Sequence, residues 1–250
     1  MSGDPRQTGE MPFLEHLEEL RWVLMHVVIA AAFGAILGWW LAPRVLDDLI
    51  VRTVHTAIVL SPLEAFNERM KLTMLIGLMV ASPYVFFKIW QFVVPGLLKR
   101  ERSMILPMAL MSMVMFALGV WAAYGYVVPL VIKVMDQFTT PNIKMQIQLS
   151  SLLAFFYNIA LACGAVMQLP LVTMALTAMG LVTPGYLLRQ WRYALVIVFV
   201  VTAVITPGDV VTAQLIMGVP MTALYFVSVG LSWLVAKRRS EPIPEEATDA

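Results

Sequence analysis

Two glutamates lie among basic residues, each beside a long apolar segment. Glu19 belongs to Phe13-Leu-Glu-His-Leu-Glu-Glu-Leu-Arg21, and Glu101 belongs to Leu97-Leu-Lys-Arg-Glu-Arg102. A half-buried carboxylate is costly unless it is paired, and a guanidinium group can give it two parallel hydrogen bonds. The two acids are therefore candidates for a site that binds a cationic ligand. A structural alternative stays open for Glu19, which could pair within the chain with Arg21 or with a neighbouring loop.

The motifs of the common enzyme classes are absent from the sequence. It contains no Gly-x-x-x-x-Gly-Lys-Ser/Thr loop, no His-Glu-x-x-His pair and no Gly-x-Ser-x-Gly nucleophile motif. The three histidines (His16, His26 and His55) have no spacing suited to a metal, and Cys163 is the single cysteine. A net charge of +1 argues against nucleic acid as a partner. We expect no catalytic activity, no metal and no cofactor.

The composition is that of a membrane protein. Apolar residues make up 60% of the chain and charged residues 13%, whereas soluble domains carry about 25% charged residues. A spanning helix needs about 20 mainly apolar residues. Six segments approach that requirement, the last two being tighter: Trp22–Leu41, Leu72–Val94, Ile105–Ile132, Leu152–Met179, Tyr193–Ile205 and Ala213–Ala236. We predict an all-α integral membrane protein with six transmembrane helices.

The distribution of lysine and arginine predicts the orientation of these helices. Six spans place both termini on the same side of the membrane. If that side is cytoplasmic, it holds eleven of the 17 basic residues, as the positive-inside rule requires. The other six lie in the outer loops: Arg44, Arg52, Arg69, Lys71, Lys133 and Lys144. Lys99, Arg100 and Arg102, which surround Glu101, are expected to hold their loop against anionic lipid headgroups.

Prolines and aromatic residues suggest how the spans bend and where they end. We predict that Pro43 ends the first span and that a short helix, with Val45, Leu46, Leu49, Ile50 and Val54 on its apolar face, lies on the outer interface. Further prolines are expected to bend the spans into a curved wall: Pro83, Pro107, Pro129, Pro170 and Pro220. Tyr124 and Tyr126 are expected in the interfacial aromatic belt.

Few polar side chains fall at membrane depth. Gln168 lies in the middle of the fourth span, in Ala165-Val-Met-Gln-Leu-Pro170. We expect its amide, and those of Asn158 and Gln214, to form hydrogen bonds between helices. Asp209, in the tight turn Thr206-Pro-Gly-Asp209, first suggests a turn or a helix cap.

Taken in order, several short motifs resemble the TatC family, the polytopic core subunit of the twin-arginine protein translocase. The resemblance covers about Met11 to Ala236. It rests on these residues of the first span and its outer loop: Phe13, His16, Glu19, Arg21, Pro43, Pro62, Glu64, Phe66 and Lys71. It continues in the first inner loop and the last outer turn: Phe92, Pro95-Gly-Leu97, Glu101-Arg102, Thr206-Pro207 and Asp209.

The resemblance implies a cupped arrangement of six helices in the bacterial cytoplasmic (inner) membrane. It implies that the protein binds the twin-arginine signal peptides of folded cargo at the cytoplasmic face. It also implies assembly with small single-span partner subunits of the TatA and TatB type, in an oligomeric complex driven by the proton-motive force. The domains would be a flexible tail (1–11), the membrane domain (12–236) and a disordered cytoplasmic tail (237–250).

The resemblance also assigns residues to roles. Glu19, Arg21, Phe92 and Glu101 would bind the signal peptide. A second group would support the outer side: Pro43, Glu64, Phe66 and Asp209. The family often has a glutamate where this chain has Gln168, so a partner contact there would depend on hydrogen bonding rather than on titration. Two other classes of protein have different sequence requirements. A small-solute transporter or channel would need ionisable groups along a path at the midplane of the membrane, and an intramembrane hydrolase would need a nucleophile and a base.

Overall fold

The computed structural model describes residues 13–93, 105–137, 139, 146–205 and 212–240, and these residues are almost entirely helical. In chain order the elements are α1 (Phe13–Thr53), β1 (Ala57–Ile58), α2 (Glu64–Val93), α3 (Ile105–Ala122), a π-helical segment (Ala123–Val127), α4 (Val128–Asp136), β2 (Ile147–Gln148), α5 (Leu149–Val166), α6 (Leu169–Ala178), α7 (Pro184–Arg189), α8 (Trp191–Ile205) and α9 (Thr212–Ser240).

Four stretches of the described chain are long and apolar enough to cross a membrane. They are Leu17–Thr53, Glu64–Phe92, Leu106–Asp136 and Leu149–Ala178, and each overlaps one of the first four predicted spans to within two residues of its bounds or contains it. Two shorter apolar helices follow at Trp191–Ala203 and Met217–Trp233. The 15 residues of α8 reach about 22 Å, which is less than the hydrocarbon core of about 30 Å. The fold class, an all-α membrane protein, is confirmed.

Helix α1 runs through Pro43 without ending, so the prediction that this proline breaks the first span is wrong. Ala42 and Leu49, on either side of it, are fully buried in the main hydrophobic cluster. The residues predicted to lie on the outer interface instead pack against that cluster: Val45, Leu46, Ile50 and Val54. Their helical periodicity was recognised correctly, but packing on both sides of Pro43 holds the helix together. Ending it would also leave more backbone groups without partners in an apolar environment.

Two other prolines do coincide with breaks. Pro129 follows the π-helical segment, in which the backbone N–H of Val128 donates to the carbonyl of Ala123, five residues earlier. A proline lacks an N–H and its ring crowds the carbonyl four residues earlier, so the wider π turn relieves this conflict. Pro170 lies in the first turn of α6, directly after the turn at Met167 and Gln168 that separates α6 from α5. The regular α-helical hydrogen bonding of the third and fourth spans is therefore interrupted near these two prolines.

Glycines bring the backbones of α1 and α2 into direct contact. A Cβ atom added to Gly34 would lie 2.2 Å from the carbonyl oxygen of Gly77, and one added to Gly38 would lie 2.6 Å from that of Thr73. A Cβ atom on Gly77 would lie 2.5 Å from the backbone nitrogen of Ala35. Gly34 and Gly38 are four residues apart, the spacing typical of closely packed membrane helices. This close approach sets the antiparallel register of the first two spans.

The remaining helices assemble around this pair. The main hydrophobic cluster joins α1, α2, α3 and α5, and includes the fully buried Leu49, Leu72, Leu153 and Ile159. Helix α9 packs against α6 and α8, where the hydroxyl groups of Thr177 and Ser232 are 2.6 Å apart and buried. Helix α9 ends at Ser240, four residues beyond the predicted end of the membrane domain.

Exchanging Gly77 for alanine tests the backbone contact. We expect Gly77→Ala to lower the free energy of unfolding by about 1–3 kcal/mol, because the new methyl group overlaps backbone atoms that cannot move aside. The matched control is Gly230→Ala, since a Cβ atom there meets nothing within 4 Å and alanine favours the helix. Thermal unfolding of the purified protein in detergent measures both. Equal stability of the two variants would contradict the assigned contact.

Candidate functional site

Glu19 lies half-buried on α1, two turns from the start of that helix. Its Oε2 atom is buried and has no hydrogen-bond partner among the described residues. The ion pairs found in the described part of the chain are Arg52–Asp48 and Lys71–Glu68, so Glu19 forms none with Arg21, which is exposed. The internal pairing of Glu19 with Arg21, left open by the sequence, is therefore not present.

The register of α1 and α2 places Glu19 level with Phe92. Gly34 faces Gly77 across the helix pair. Glu19 precedes Gly34 by the same number of residues as Phe92 follows Gly77, and antiparallel helices rise equally per residue. Two residues predicted to share one site are thus brought to the same end of the bundle. Their predicted companion Glu101 lies outside the described residues, so its position relative to Glu19 stays a prediction.

This end of the α1–α2 pair can accept hydrogen bonds from a cation. A carboxylate oxygen that is buried without a partner is unfavourable by about 1–3 kcal/mol or more, because it has lost water without gaining a donor. A guanidinium group would supply two donors in a planar fork. An aromatic side chain at the same level, Phe92, would offer an apolar surface beside it.

At the opposite end of α2, Glu64 joins two loops. Its Oε2 accepts from the backbone N–H of Leu60 at 2.8 Å, and its Oε1 accepts from the backbone N–H of Ser150 at 2.9 Å. We call this arrangement of Glu64, Leu60 and Ser150 the Glu64 clasp. Beside it, β1 pairs in parallel with β2, Ala57 opposite Ile147. The clasp ties the connection between α1 and α2 to the start of α5.

The other residues predicted to support the outer side are Pro43, Phe66 and Asp209. Pro43 is half-buried within α1, and Phe66 is exposed on α2, with 54% of its surface accessible. Asp209 lies outside the described residues. Two further residues at this end were not predicted from the sequence. Glu68 is buried on α2, and its Oε1 accepts from the Lys71 ammonium group at 2.6 Å. The hydroxyl of Tyr157 donates to the backbone carbonyl of Glu68 at 2.9 Å.

Gln168 forms the predicted hydrogen bond between helices. Its Nε2 donates to the backbone carbonyl of Ser112 on α3 at 2.9 Å, and the indole nitrogen of Trp90 on α2 donates to the Ser112 hydroxyl at 2.8 Å. Three spans therefore meet at Ser112, a residue that the sequence analysis did not single out, although it is a lone polar residue in a long apolar run. Gln214 also bonds as predicted, to the carbonyl of Phe199. The exposed Asn158 has no side-chain partner among the described residues.

The described ranges contain no group of three or more His, Cys, Asp or Glu side chains able to hold a metal ion. Cys163 is half-buried and free. Several hydroxyl side chains in these ranges, such as those of Thr53, Thr73 and Ser228, donate to backbone carbonyls of their own helices. The chemistry available at the Glu19 end is recognition by charge and hydrogen bonding.

Comparison with known proteins agrees with this architecture. The sequence profile of the family described as Sec-independent protein translocase protein (TatC) matches residues 15–220. The TatC protein of Koribacter versatilis is 33% identical over 96% of this chain and 92% of its own length. That of Aquifex aeolicus is 31% identical over 92% of this chain and 98% of its own length.

Two crystal structures of the twin arginine translocase receptor TatC have the same fold. One superposes with a TM-score of 0.75, covering 88% of this chain and 99% of its own, and the other with a TM-score of 0.78, covering 87% and 99%. Both are 29% identical in sequence.

The helical fold and these relatives define a multi-pass membrane subunit of a protein translocase, a transport component rather than a catalyst. The chain belongs to the TatC family of Sec-independent, or twin-arginine, protein translocases. The family resemblance drawn from the sequence motifs is thereby confirmed, as is the prediction that the protein is not an enzyme.

The Glu64 clasp can be tested by removing its carboxylate. Glu64→Ala leaves two backbone N–H groups without acceptors, at a cost of about 1–3 kcal/mol each where they are buried. We expect a marked fall in the unfolding temperature and faster proteolysis at the loop 54–63. Asp47→Ala is the matched control, because Asp47 is an exposed carboxylate near the same end of the bundle with no hydrogen bond to a described residue. If Glu64→Ala were as stable as Asp47→Ala, the clasp would have no structural role.

Proposed function

We propose that this chain is the receptor and core subunit of a twin-arginine translocase, binding the twin-arginine signal peptides of folded proteins. Family membership supports the general role, and the specific proposal is carried by the Oε2 atom of Glu19, which is buried without a hydrogen-bond partner among the described residues. The atom needs a donor, and its position level with Phe92 gives a ligand both a charged and an apolar contact. Glu101 is proposed to take the second arginine of the pair, and Arg21 to flank the site.

The proposed orientation places the Glu19 site where cargo arrives. Both termini would lie in the cytoplasm, with the chain crossing the bacterial inner membrane six times. The basic residues support this, because eleven of the 17 fall on that side. The Glu64 clasp would then lie at the outer face with Pro43 and Phe66, and Asp209 would join them from the last turn.

A solute transporter is the less favoured function. Such proteins carry ionisable groups at membrane depth along their transport path. This chain has no Asp, Glu, Lys or Arg at positions 72–87, 105–132 or 149–188. Positions 22–43 also contain none of these residues, and His26 is the one histidine there. A path of that kind is missing from the first four spans, whereas recognition at the ends of the helices remains possible.

Assembly with small single-span partners of the TatA and TatB type is proposed at the turn within the fourth span, with the proton-motive force driving transport. Gln168 lies half-buried at that turn, and its amide nitrogen is used within the chain. Its carbonyl oxygen accepts no hydrogen bond from a described residue, which leaves one acceptor for a neighbouring helix. Gln168 can therefore serve docking through hydrogen bonding without carrying a charge.

Binding of a twin-arginine signal peptide to the purified protein tests the receptor proposal. We expect Glu19→Ala and Glu101→Ala each to weaken binding about tenfold or more, the cost of losing hydrogen bonds to a charged group. A twin-lysine peptide should also bind less well, because an ammonium group lacks the planar fork of a guanidinium.

Glu18→Ala is the matched control, since Glu18 is the adjacent, exposed acid on the same helix. It should leave the dissociation constant unchanged, as measured by fluorescence anisotropy with a labelled peptide. Equal affinity of all three variants and of both peptides would reject the assignment of these acids.

Co-purification with a TatB-type subunit tests the role of Gln168. We expect Gln168→Glu to retain the partner, because a protonated carboxyl group can still donate to the Ser112 carbonyl. Gln168→Leu should reduce recovery of the partner, since leucine neither donates nor accepts. Loss of the partner from Gln168→Glu together with its retention by Gln168→Leu would overturn the hydrogen-bonding role.

A further inference from the structure

Two neighbouring cavities are each lined partly by α1 and partly by the π-helical segment. The first, the apolar groove, has a volume of about 390 Å³ and includes Leu41, Leu75, Met79, Val80 and Trp121 in its lining. The second, the basic pocket, has a volume of about 570 Å³ and is lined by the end of α1 and by the π-helical segment and α4. Its polar lining includes Arg52, His55, Lys133 and Asp136.

Two contacts between side chains join the groove to the pocket. Tyr124 lines the groove, and the guanidinium carbon of Arg52, which lines the pocket, lies 5.6 Å from the centre of the Tyr124 ring. Trp121 of the groove packs edge-on against Tyr126 of the pocket, with 5.5 Å between ring centres. The two cavities therefore form one continuous surface that changes from apolar to charged at an aromatic boundary.

This surface is exposed on the folded chain. In the folded chain Trp121 is 57% exposed, Tyr126 is 63% exposed, and Leu41 and Val80 are also exposed. The spans that carry them are apolar helices of a membrane protein. Tryptophan and tyrosine concentrate at the level of lipid headgroups. An aromatic pair between an apolar groove and a charged pocket therefore follows the same order as the parts of one lipid molecule, from acyl chain to charged headgroup.

The pocket presents two basic side chains to an anion. Arg52 and Lys133 line it together with one carboxylate, Asp136, and a second carboxylate, Asp48, is paired with Arg52. Arg52 uses its Nε atom to bind Asp48 at 2.5 Å, and Tyr124 donates to the same carboxylate, which holds the guanidinium group in place while its terminal nitrogens stay available. Lys133 is exposed and forms no ion pair with a described residue.

We propose that these cavities form a binding site for an anionic phospholipid. The phosphate group lies in the basic pocket against Arg52 and Lys133, the glycerol lies at the aromatic pair Trp121–Tyr126, and an acyl chain occupies the apolar groove. This site is separate from the Glu19 end and from Gln168, so it does not depend on the proposed receptor function. Both cavities are thereby assigned to a lipid rather than to a protein partner.

Gly125 gives the pocket its room. It lies in the π-helical segment, lines the pocket, and a Cβ atom added there would meet no atom within 4 Å. A larger side chain at this position would therefore fill the space of the ligand without displacing the protein. Gly230 is a matched control position, because it is also helical and equally open.

Native mass spectrometry of the detergent-purified protein tests the site, with phosphatidylglycerol and phosphatidylcholine of identical acyl chains as probes. We expect wild type to retain phosphatidylglycerol preferentially. Lys133→Gln should lower its occupancy about fivefold, the effect of one basic residue near an anionic lipid, and should reduce the preference over phosphatidylcholine. Gly125→Leu should lower the occupancy of both lipids. Lys88→Gln and Gly230→Leu should match wild type, since neither residue lines either cavity.

Three results would overturn the proposal. Wild type could retain both lipids equally, which would remove the basis for an anionic ligand. Lys133→Gln and Gly125→Leu could both retain wild-type occupancy of phosphatidylglycerol, which would place the lipid elsewhere. Millimolar inorganic phosphate could displace phosphatidylglycerol and bind on its own, which would make the pocket a phosphate site rather than a lipid site.

Discussion

The contact between the backbones of α1 and α2 is the constraint from which much of this structure follows. Where lipid surrounds the helices, burial of apolar side chains does little to bring them together, and close packing of small residues does more. Gly34, Gly38 and Gly77 allow that packing. Because the contact fixes the register of two long helices, it places Glu19 and Phe92 at the same level at one end of the helix pair. At the other end it sets where the chain leaves α1 and enters α2.

Inside this frame, three polar side chains form hydrogen bonds with backbone groups of other elements. Glu64 accepts from Ser150 at the start of α5, Gln168 donates to α3, and Tyr157 donates to the Glu68 carbonyl on α2. Each is a single long-range bond made where apolar contacts alone would permit sliding or rotation. Glu19 differs from all of them, because its buried oxygen finds no donor in the described chain. The Oε2 atom of Glu68 is likewise buried without a partner among the described residues. Glu68, however, is paired through its other oxygen with Lys71, whereas Glu19 forms no ion pair with a described residue.

Much of the architecture was predictable because apolar length, proline and charge act locally. The first four spans, the short α8 and the hydrogen bond of Gln168 followed from such signals. The helix end predicted at Pro43 was wrong, since whether a proline ends a helix depends on what packs against the following turns. Here Leu49 is buried in the main hydrophobic cluster. The spacing of Gly34 and Gly38 would have predicted a close contact between helices, but this prediction was not made. The partners Ser112 and Tyr157 could not be assigned, because their roles depend on contacts between residues far apart in the chain.

The Glu64 clasp also bears on the order in which the protein is made. Ser150 is separated from Glu64 by 86 residues, and ribosomes add about 5–20 residues per second. Glu64 therefore emerges roughly 4–17 seconds before its distant donor exists. During that interval the first two helices can pair through their glycines, but the loop between them has no anchor. Synthesis of α5 supplies Ser150 and so completes the Glu64 clasp. The loop therefore acquires its final shape only after the third span has been made.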